Sequence, residues 1–131
     1  MVIVGAALVR NGQLLAQQRA WPADHAGQWE LPGGRVEDGE SDEAALAREC
    51  QEELDVAVTV GGRVGDDVPL PNGKVLRIYA ASLVTAGAEP RAVEHKDVRW
   101  ISAHELDDLD WLPADRVLLP ALHALLSGAG R

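Results

Sequence analysis

The chain has 131 residues, of which 12 are basic and 21 acidic, so its formal net charge is −9. This length suits one domain with a hydrophobic core, and 47% apolar residues argue against a disordered chain. The negative charge argues against a nucleic-acid polymer or an anionic membrane as partner, and a lone cysteine excludes a disulfide framework. The apolar opening at 1–9 is too short for a membrane span and has no basic residue before it, so it is a poor signal peptide. A cytoplasmic location is therefore expected.

Strand and turn signals alternate along most of the chain. The apolar run Val2–Val9 predicts a buried strand, and Asn11-Gly12 predicts a hairpin to a returning strand at Leu14–Gln18. A second turn of this kind is predicted at Pro71-Asn72-Gly73-Lys74. The remaining predicted strands are Asp55–Val60, which Gly61-Gly62 would close, Val75–Val84, and Asp97–Ile101.

Two helices are predicted. Ser41 is a good N-cap, acids follow in the first turn where the helix dipole favours them, and this helix should end near Leu54. The second helix should follow Pro113 and reach about Leu126, leaving Gly128–Arg131 as a frayed tail. Because hairpins are mixed with longer crossovers, the expected fold class is α/β, a mixed β-sheet covered by two helices.

The negative charge is concentrated in residues 37–55, which hold nine acidic residues and a single basic one, Arg48. The predicted helix there carries three carboxylates within an arc of roughly 100°: Glu49, Glu52 and Glu53. Such a face can simply be solvated, with Arg48 relieving part of the repulsion. The turn Leu31-Pro32-Gly33-Gly34 just upstream favours a ligand site instead, because its glycines let the backbone approach a ligand closely and present a carbonyl. Oxygen ligands of this kind suit a hard divalent cation such as Mg²⁺.

The spacing of polar residues after this turn is that of a known motif. Gly34 is followed by five residues, Glu40, seven residues and then Arg48-Glu49-Cys50-Gln51-Glu52-Glu53-Leu54-Asp55-Val56. This segment, 34–56, resembles the Nudix box of the nucleoside-diphosphate-linked-moiety hydrolases, and departs from it at two positions. Cys50 replaces the usual aliphatic residue, and Asp55 replaces a glycine just past the helix. The resemblance covers nearly the whole chain and implies one Nudix domain, 1–131, with an α/β/α sandwich around the mixed sheet.

The resemblance also implies the chemistry, which is hydrolysis of a nucleoside diphosphate linked to another group, with Mg²⁺ or Mn²⁺ as cofactor. The metal ligands that it implies are the Gly33 carbonyl and the carboxylates of Glu49, Glu52, Glu53 and Glu94. These four glutamates are the predicted catalytic residues, with Glu49 or Glu94 as the general base. Glu40 and Arg48 would instead orient the loop and the helix. His95 has no evident partner and is expected to be structural or exposed.

Residues outside the box indicate the substrate. Arg19 matches an arginine that contacts substrate phosphate in mutator-type, MutT-like members. Asp115 stands where enzymes specific for oxidised guanine have Asn, and an ionised Asp only accepts hydrogen bonds, as the cytosine amino group requires. The alternative is that Asp115 merely caps the last helix. Three segments resemble the cytidine-nucleotide branch of the family: Pro113-Ala114-Asp115, Gly65-Asp66-Asp67 and Leu76–Tyr79. The predicted substrate-binding residues are Arg19, Glu30, Arg77, Tyr79 and Asp115.

The resulting expectation is a pyrophosphohydrolase that cleaves CTP, dCTP or a 5-substituted dCTP to monophosphate and pyrophosphate and so cleans the nucleotide pool. The alternatives are an 8-oxo-dGTP diphosphatase and a catalytically silent nucleotide-binding Nudix domain, although the complete set of glutamates argues against silence. Trp29 or Trp111 could stack on a base, but a chain without phenylalanine also needs tryptophan in its core. The oligomeric state stays open, with a homodimer among the alternatives.

Overall fold

The computed structural model describes residues 1–128, so the predicted tail beyond Gly128 lies outside the described residues. Within them the strands are β1 (Val2–Arg10), β2 (Gln13–Gln18), β3 (Trp29–Glu30), β4 (Gly33–Arg35), β5 (Val58–Arg63), β6 (Val68–Pro69), β7 (Val75–Leu83) and β8 (Asp97–Ile101). The α-helices are α1 (Asp42–Leu54), α2 (Pro113–Arg116) and α3 (Leu119–Leu126). Short 3₁₀ turns occupy Ala23–His25, Pro71–Gly73 and Ala103–Asp108. No helix in this part of the chain is long and apolar enough to cross a membrane.

The strands form a mixed sheet in the order β3-β2-β1-β7-β5, with β4 on β1, β6 on β7 and β8 on β2. Its centre is the parallel pair β1 and β7, and the remaining strand pairs within 1–128 are antiparallel. Asn11 and Gly12 join β1 to β2 with φ of 52° and 75°, the positive values that a tight hairpin needs. The predicted hairpin is therefore confirmed, as is the strand Asp97–Ile101.

Two hydrophobic clusters cover the two faces of the sheet, as the predicted sandwich requires. On one face α1 buries Leu46, Cys50 and Leu54, each fully excluded from solvent. Cys50 thus packs as a small hydrophobic residue, as expected. The other face packs against α3 and includes Trp29 and Trp111, which are 6% and 1% exposed. These two tryptophans belong to the core and are not free to stack on a base.

Two predicted elements are wrong in their bounds. The strand predicted at Asp55–Val60 is β5, which starts at Val58 and continues through Gly61-Gly62 with a register shift against β7. Asp55 is the C-cap of α1, with φ 57° and ψ 41°, so it adopts the left-handed conformation that glycine usually supplies. The helix predicted from Pro113 to Leu126 divides into α2 and α3, because Pro120 lacks the N–H that would continue the hydrogen-bond ladder.

Candidate active site

A cavity of about 320 Å³ opens between the β3–β4 turn, helix α1 and the loop that precedes β8. Its polar lining consists of Arg19, Glu30, Glu49, Glu53, Glu94 and His95. Gly33 and Gly34 also line the cavity, as does Trp21, whose indole is exposed. Of the predicted metal ligands, the structure brings Gly33, Glu49, Glu53 and Glu94 to this cavity.

Helix α1 presents its carboxylates to the cavity because the two glycines of the turn allow close approach. The Ser41 side chain accepts a hydrogen bond from Ala44 N at 3.1 Å and fixes the start of the helix. A Cβ on Gly33 would collide with the backbone of β1, and a Cβ on Gly34 would lie 2.6 Å from both carboxylate oxygens of Glu49. The absence of side chains at both positions therefore lets the turn contact β1 and leaves room for Glu49.

Glu53 is the most deeply buried carboxylate of the helix, with 6% of its surface exposed. Its oxygens accept hydrogen bonds from Gln17 Nε2 at 2.9 Å and from Gly33 N at 3.0 Å. Burial raises the pKa of Glu53 to about 7, and burial also raises the pKa of Glu49 despite the nearby Arg48 guanidinium. For both side chains, burial disfavours the ionised form more than the neighbouring hydrogen bonds favour it.

This donor set fits a divalent cation. Mg²⁺ prefers carboxylate and carbonyl oxygens, and its charge would favour the ionised form of buried acids. Within residues 1–128 no three acidic, His or Cys side chains are already arranged to hold a metal ion. Two of the glutamates contact Arg48 instead. Its Nη1 lies 2.9 Å from Glu49 Oε1 and 3.4 Å from Glu52 Oε1. The Glu52 side chain is 54% exposed and lies at the rim, outside the cavity lining.

Arg48 and Glu40 form the orienting pair that the motif implies. Arg48 Nε and Nη2 donate to the two oxygens of Glu40 at 2.8 and 3.0 Å, and Nη2 also donates to Arg35 O at 3.0 Å. Glu40 in turn accepts from Glu37 N at 2.9 Å. The hydrogen bond from Arg48 lowers the pKa of Glu40 to about 2. The pair therefore ties the loop after β4 to helix α1.

Hydrogen bonds link three further side chains of the cavity lining: Arg19, Glu30 and His95. Arg19 Nη1 donates to both oxygens of Glu30, at 3.3 and 3.2 Å, and its Nε donates to Trp21 O at 3.1 Å. His95 Nε2 lies 2.7 Å from Glu30 Oε2. His95, expected to be structural or exposed, is a largely buried part of the site, and Trp21 was not predicted there. Proximity of Trp21 to Arg19 was the available signal for the indole, whereas His95 and Glu30 are 65 positions apart.

Asp115 lies in a second, smaller cavity of about 70 Å³, which shares Ile3, Glu30 and Gly33 with the first. The carboxylate is 6% exposed and accepts a hydrogen bond from Leu31 N at 3.0 Å. Burial raises the pKa of Asp115 to about 7. Asp115 is not the N-cap of either C-terminal helix, because these positions are Leu112 in α2 and Leu118 in α3. Asp115 instead joins α2 to the β3–β4 turn and faces the cavity.

The structure does not bring Arg77 and Tyr79 to either cavity. Arg77 binds Asp67 and Asp42 across the sheet face that carries α1, and the Tyr79 hydroxyl donates to Asp42 Oδ2 at 2.7 Å. Successive side chains of a strand point to opposite faces. The neighbours of these two residues, Leu76 and Ile78, therefore line the cavity of Asp115 instead.

The fold and the acidic helix beside a glycine turn define a Nudix hydrolase. The chain belongs to the NUDIX family, whose domain model matches residues 1–122. It is 47% identical over 98% of its length to "Putative 8-oxo-dGTP diphosphatase 2" of Mycobacterium tuberculosis, covering 92% of that protein. It is 37% identical over 94% of its length to the CTP pyrophosphohydrolase of Escherichia coli, covering 91% of it. The solution structure of the E. coli ORF135 protein superimposes with a TM-score of 0.81 at 35% identity, covering 97% of this chain and 91% of that one.

Proposed function

We propose that residues 1–131 form a single Nudix domain that works as a nucleoside triphosphate pyrophosphohydrolase with Mg²⁺ or Mn²⁺. It would cleave a (d)CTP-type substrate to the monophosphate and pyrophosphate, in the cytoplasm, and so remove unwanted nucleotides from the pool. One observation carries the proposal: the cavity with Arg19 and the glutamates opens beside the cavity of Asp115 and shares part of its lining. A polyphosphate and a base can therefore be held at adjacent sites.

The side chains of the larger cavity divide into three tasks. Arg19 would contact the phosphates, since a guanidinium offers several donors in a fixed plane. Glu53 and Glu49, with Gly33 and the rim residue Glu52, would hold the cation, which supplies charge neutralisation of the phosphates and activation of a water. Either Glu49 or Glu94 would accept the proton of that water. Burial already raises the pKa of Glu49, and a raised carboxyl pKa suits a general base near neutral pH.

Asp115 would select the base. In its ionised form the carboxylate accepts hydrogen bonds only, which complements the 4-amino group of cytosine. The Leu31 N–H already uses one of its oxygens, so the carboxylate is fixed in direction as well as in place. The E. coli relative that is named CTP pyrophosphohydrolase is consistent with this assignment.

An oxidised purine nucleotide is the second candidate substrate, and the pKa of Asp115 favours it. With a pKa of about 7, part of the Asp115 population is neutral at physiological pH. A neutral carboxylic acid both donates and accepts, as the amide of Asn does, so it can pair with a purine edge. The name of the mycobacterial relative points to the same substrate.

A panel of nucleoside triphosphates, assayed for pyrophosphate release with Mg²⁺, tests the proposal. The expected order of kcat/KM places CTP, dCTP or 5-methyl-dCTP above 8-oxo-dGTP and the ordinary purine nucleotides. Asp115→Asn should shift the ratio of the dCTP value to the 8-oxo-dGTP value by about tenfold towards the purine, because one base contact is worth ~1–3 kcal/mol. A wild-type preference for 8-oxo-dGTP would establish the second candidate. No pyrophosphate from any nucleotide would indicate a silent binding domain.

A further inference from the structure

His95 connects two carboxylates that come from distant parts of the chain. Its side chain is 10% exposed, with Nε2 2.7 Å from Glu30 Oε2 and Nδ1 3.6 Å from Glu53 Oε2. Because a carboxylate only accepts hydrogen bonds, Nε2–H is the donor to Glu30. Nδ1 is buried and has no hydrogen-bond partner among the described residues. The ring is thus held by one short hydrogen bond, and that bond ends on Glu30.

Glu30, held by His95, in turn restrains the Arg19 guanidinium. Both carboxylate oxygens of Glu30 accept from Arg19 Nη1, at 3.3 and 3.2 Å. The two side chains are only 17% and 29% exposed, and both line the larger cavity. A long arginine side chain loses much conformational entropy when it is fixed, so a carboxylate that is itself held in place reduces the freedom that substrate binding must still remove.

The backbone on both sides of His95 is docked against other elements. Arg91 N and Val93 N donate to the carbonyls of Leu54 and Glu53, at 2.9 and 3.2 Å, in the last turn of α1, where carbonyls lack helical partners. After His95, Lys96 N donates to Gln18 O at 2.9 Å. The imidazole therefore projects from a segment that backbone hydrogen bonds hold in place on both sides, so its position relative to Glu30 is fixed.

We propose that His95 is a positioning residue for phosphate binding. By donating Nε2–H to Glu30, it fixes the carboxylate that holds the Arg19 guanidinium at the cavity wall. Correct placement of a binding group before the substrate arrives lowers the free-energy cost of binding. The inference rests on the proposed function, because Arg19 is expected to contact the phosphates of a nucleotide.

Two substitutions of His95 distinguish the role of Nε2 from that of Nδ1. The amide nitrogen of Gln reaches the position of Nε2, whereas that of Asn reaches only the position of Nδ1. With Mg²⁺ and the best nucleotide of the panel, His95→Asn should raise KM about tenfold with a smaller change in kcat. His95→Gln should restore most of that loss, since it keeps the donor to Glu30. The opposite order would overturn the inference, because it would assign the role to the contact with Glu53. Equal kinetics in both variants and the wild type would also overturn it.

A double-mutant cycle with Arg19→Ala tests whether His95 acts through Arg19. In the Arg19→Ala background, His95→Asn should change KM less than about twofold, because the group it positions is already gone. A tenfold effect in that background would contradict the inference. If His95→Asn does not melt cooperatively, His95→Ala takes its place in both comparisons. An active wild type with unaffected variants contradicts this inference alone, whereas a wild type that hydrolyses no nucleotide contradicts the proposed function as well.

Discussion

Two glutamates, Glu40 just before helix α1 and Glu53 on it, lie in opposite electrostatic environments. The paired region is Glu40 with Arg48, and the unpaired region is Glu53 with Gln17 and Gly33. In the first, Glu40 accepts two hydrogen bonds from Arg48, and its pKa falls to about 2. In the second, Glu53 accepts from the neutral groups Gln17 Nε2 and Gly33 N, and burial raises its pKa to about 7. The first carboxylate is paired with a cation of the protein itself. The second is buried without one, which destabilises its charged form and leaves it able to bind a cation from solution.

The largest loss of activity is expected when the unpaired carboxylate of Glu53 is replaced by a neutral group. Glu53→Gln should lower pyrophosphate release at least about 100-fold, because it removes a carboxylate proposed to hold the cation. The variant should fold, since an amide is cheaper to bury than a carboxylate. Gln17 Oε1 is buried without a partner and can turn to accept from the new amide. Steady-state kinetics and thermal melting measure the two effects.

Glu40→Gln is the matched control in the paired region. It breaks the bidentate contact with Arg48, so the melting temperature should fall, whereas activity should stay within about tenfold of the wild type because Glu40 is outside the cavity lining. If Glu53→Gln were nearly fully active while Glu40→Gln were inactive, the division into two regions would be wrong.

The cavity can also be disturbed without changing a carboxylate. Gly34→Ala puts a methyl group where the Glu49 carboxylate lies, and the end of a flexible side chain can move aside. We expect activity to fall about tenfold or more with little change in melting temperature. In Gly33→Ala the methyl group meets the backbone of Val4 instead, which cannot move as easily, so that variant should lose stability. Equal melting temperatures for the two variants would contradict this reading of the turn.

A smaller effect is expected for the pH dependence of stability. The pKa of Asp115 is about 7 in the folded protein and near 3.8 when unperturbed. The folded state therefore holds a proton that the unfolded chain releases, and stability falls as pH rises from about 4 to 7. Asp115→Asn lacks this titration, so its free energy of unfolding relative to the wild type should rise by ~2 kcal/mol between about pH 5 and pH 8. Urea unfolding of both proteins at the two pH values measures it, and a difference independent of pH would argue against a buried carboxyl.

Local signals predicted most of the fold. The Asn11-Gly12 pair predicted the first hairpin, and Ser41, followed by acidic residues in the first turn, predicted the start of α1. The division of the last helix was missed because its apolar residues keep a helical spacing on both sides of Pro120. The start of β5 was missed because Asp55, in the left-handed conformation, ends α1 three residues before the strand begins.

The candidate site was predictable where its residues belong to the Nudix box or match the wider resemblance, which led to Arg19, Glu30 and Glu94 at the larger cavity. The Nudix box and the turn just before it led to Gly33, Glu49 and Glu53, which the structure brings together. His95 was missed because its partner Glu30 lies on a distant strand, and no spacing rule relates the two. Arg77 lies away from both cavities for a different reason. The alternation of side chains along β7 is visible in the sequence, but which face meets the cavity depends on the packing of α1 and α3.

Thermal melting with and without Mg²⁺ tests the central claim most directly, namely that Glu53, which has no cationic partner in the protein, helps to bind a divalent cation. At roughly ten times its dissociation constant, Mg²⁺ should stabilise the wild type by ~1.4 kcal/mol. Glu40→Gln should gain a similar increment from its lower starting point, and Glu53→Gln should gain little. A wild-type melting temperature that does not respond to Mg²⁺, or an equal increase in Glu53→Gln, would contradict the account.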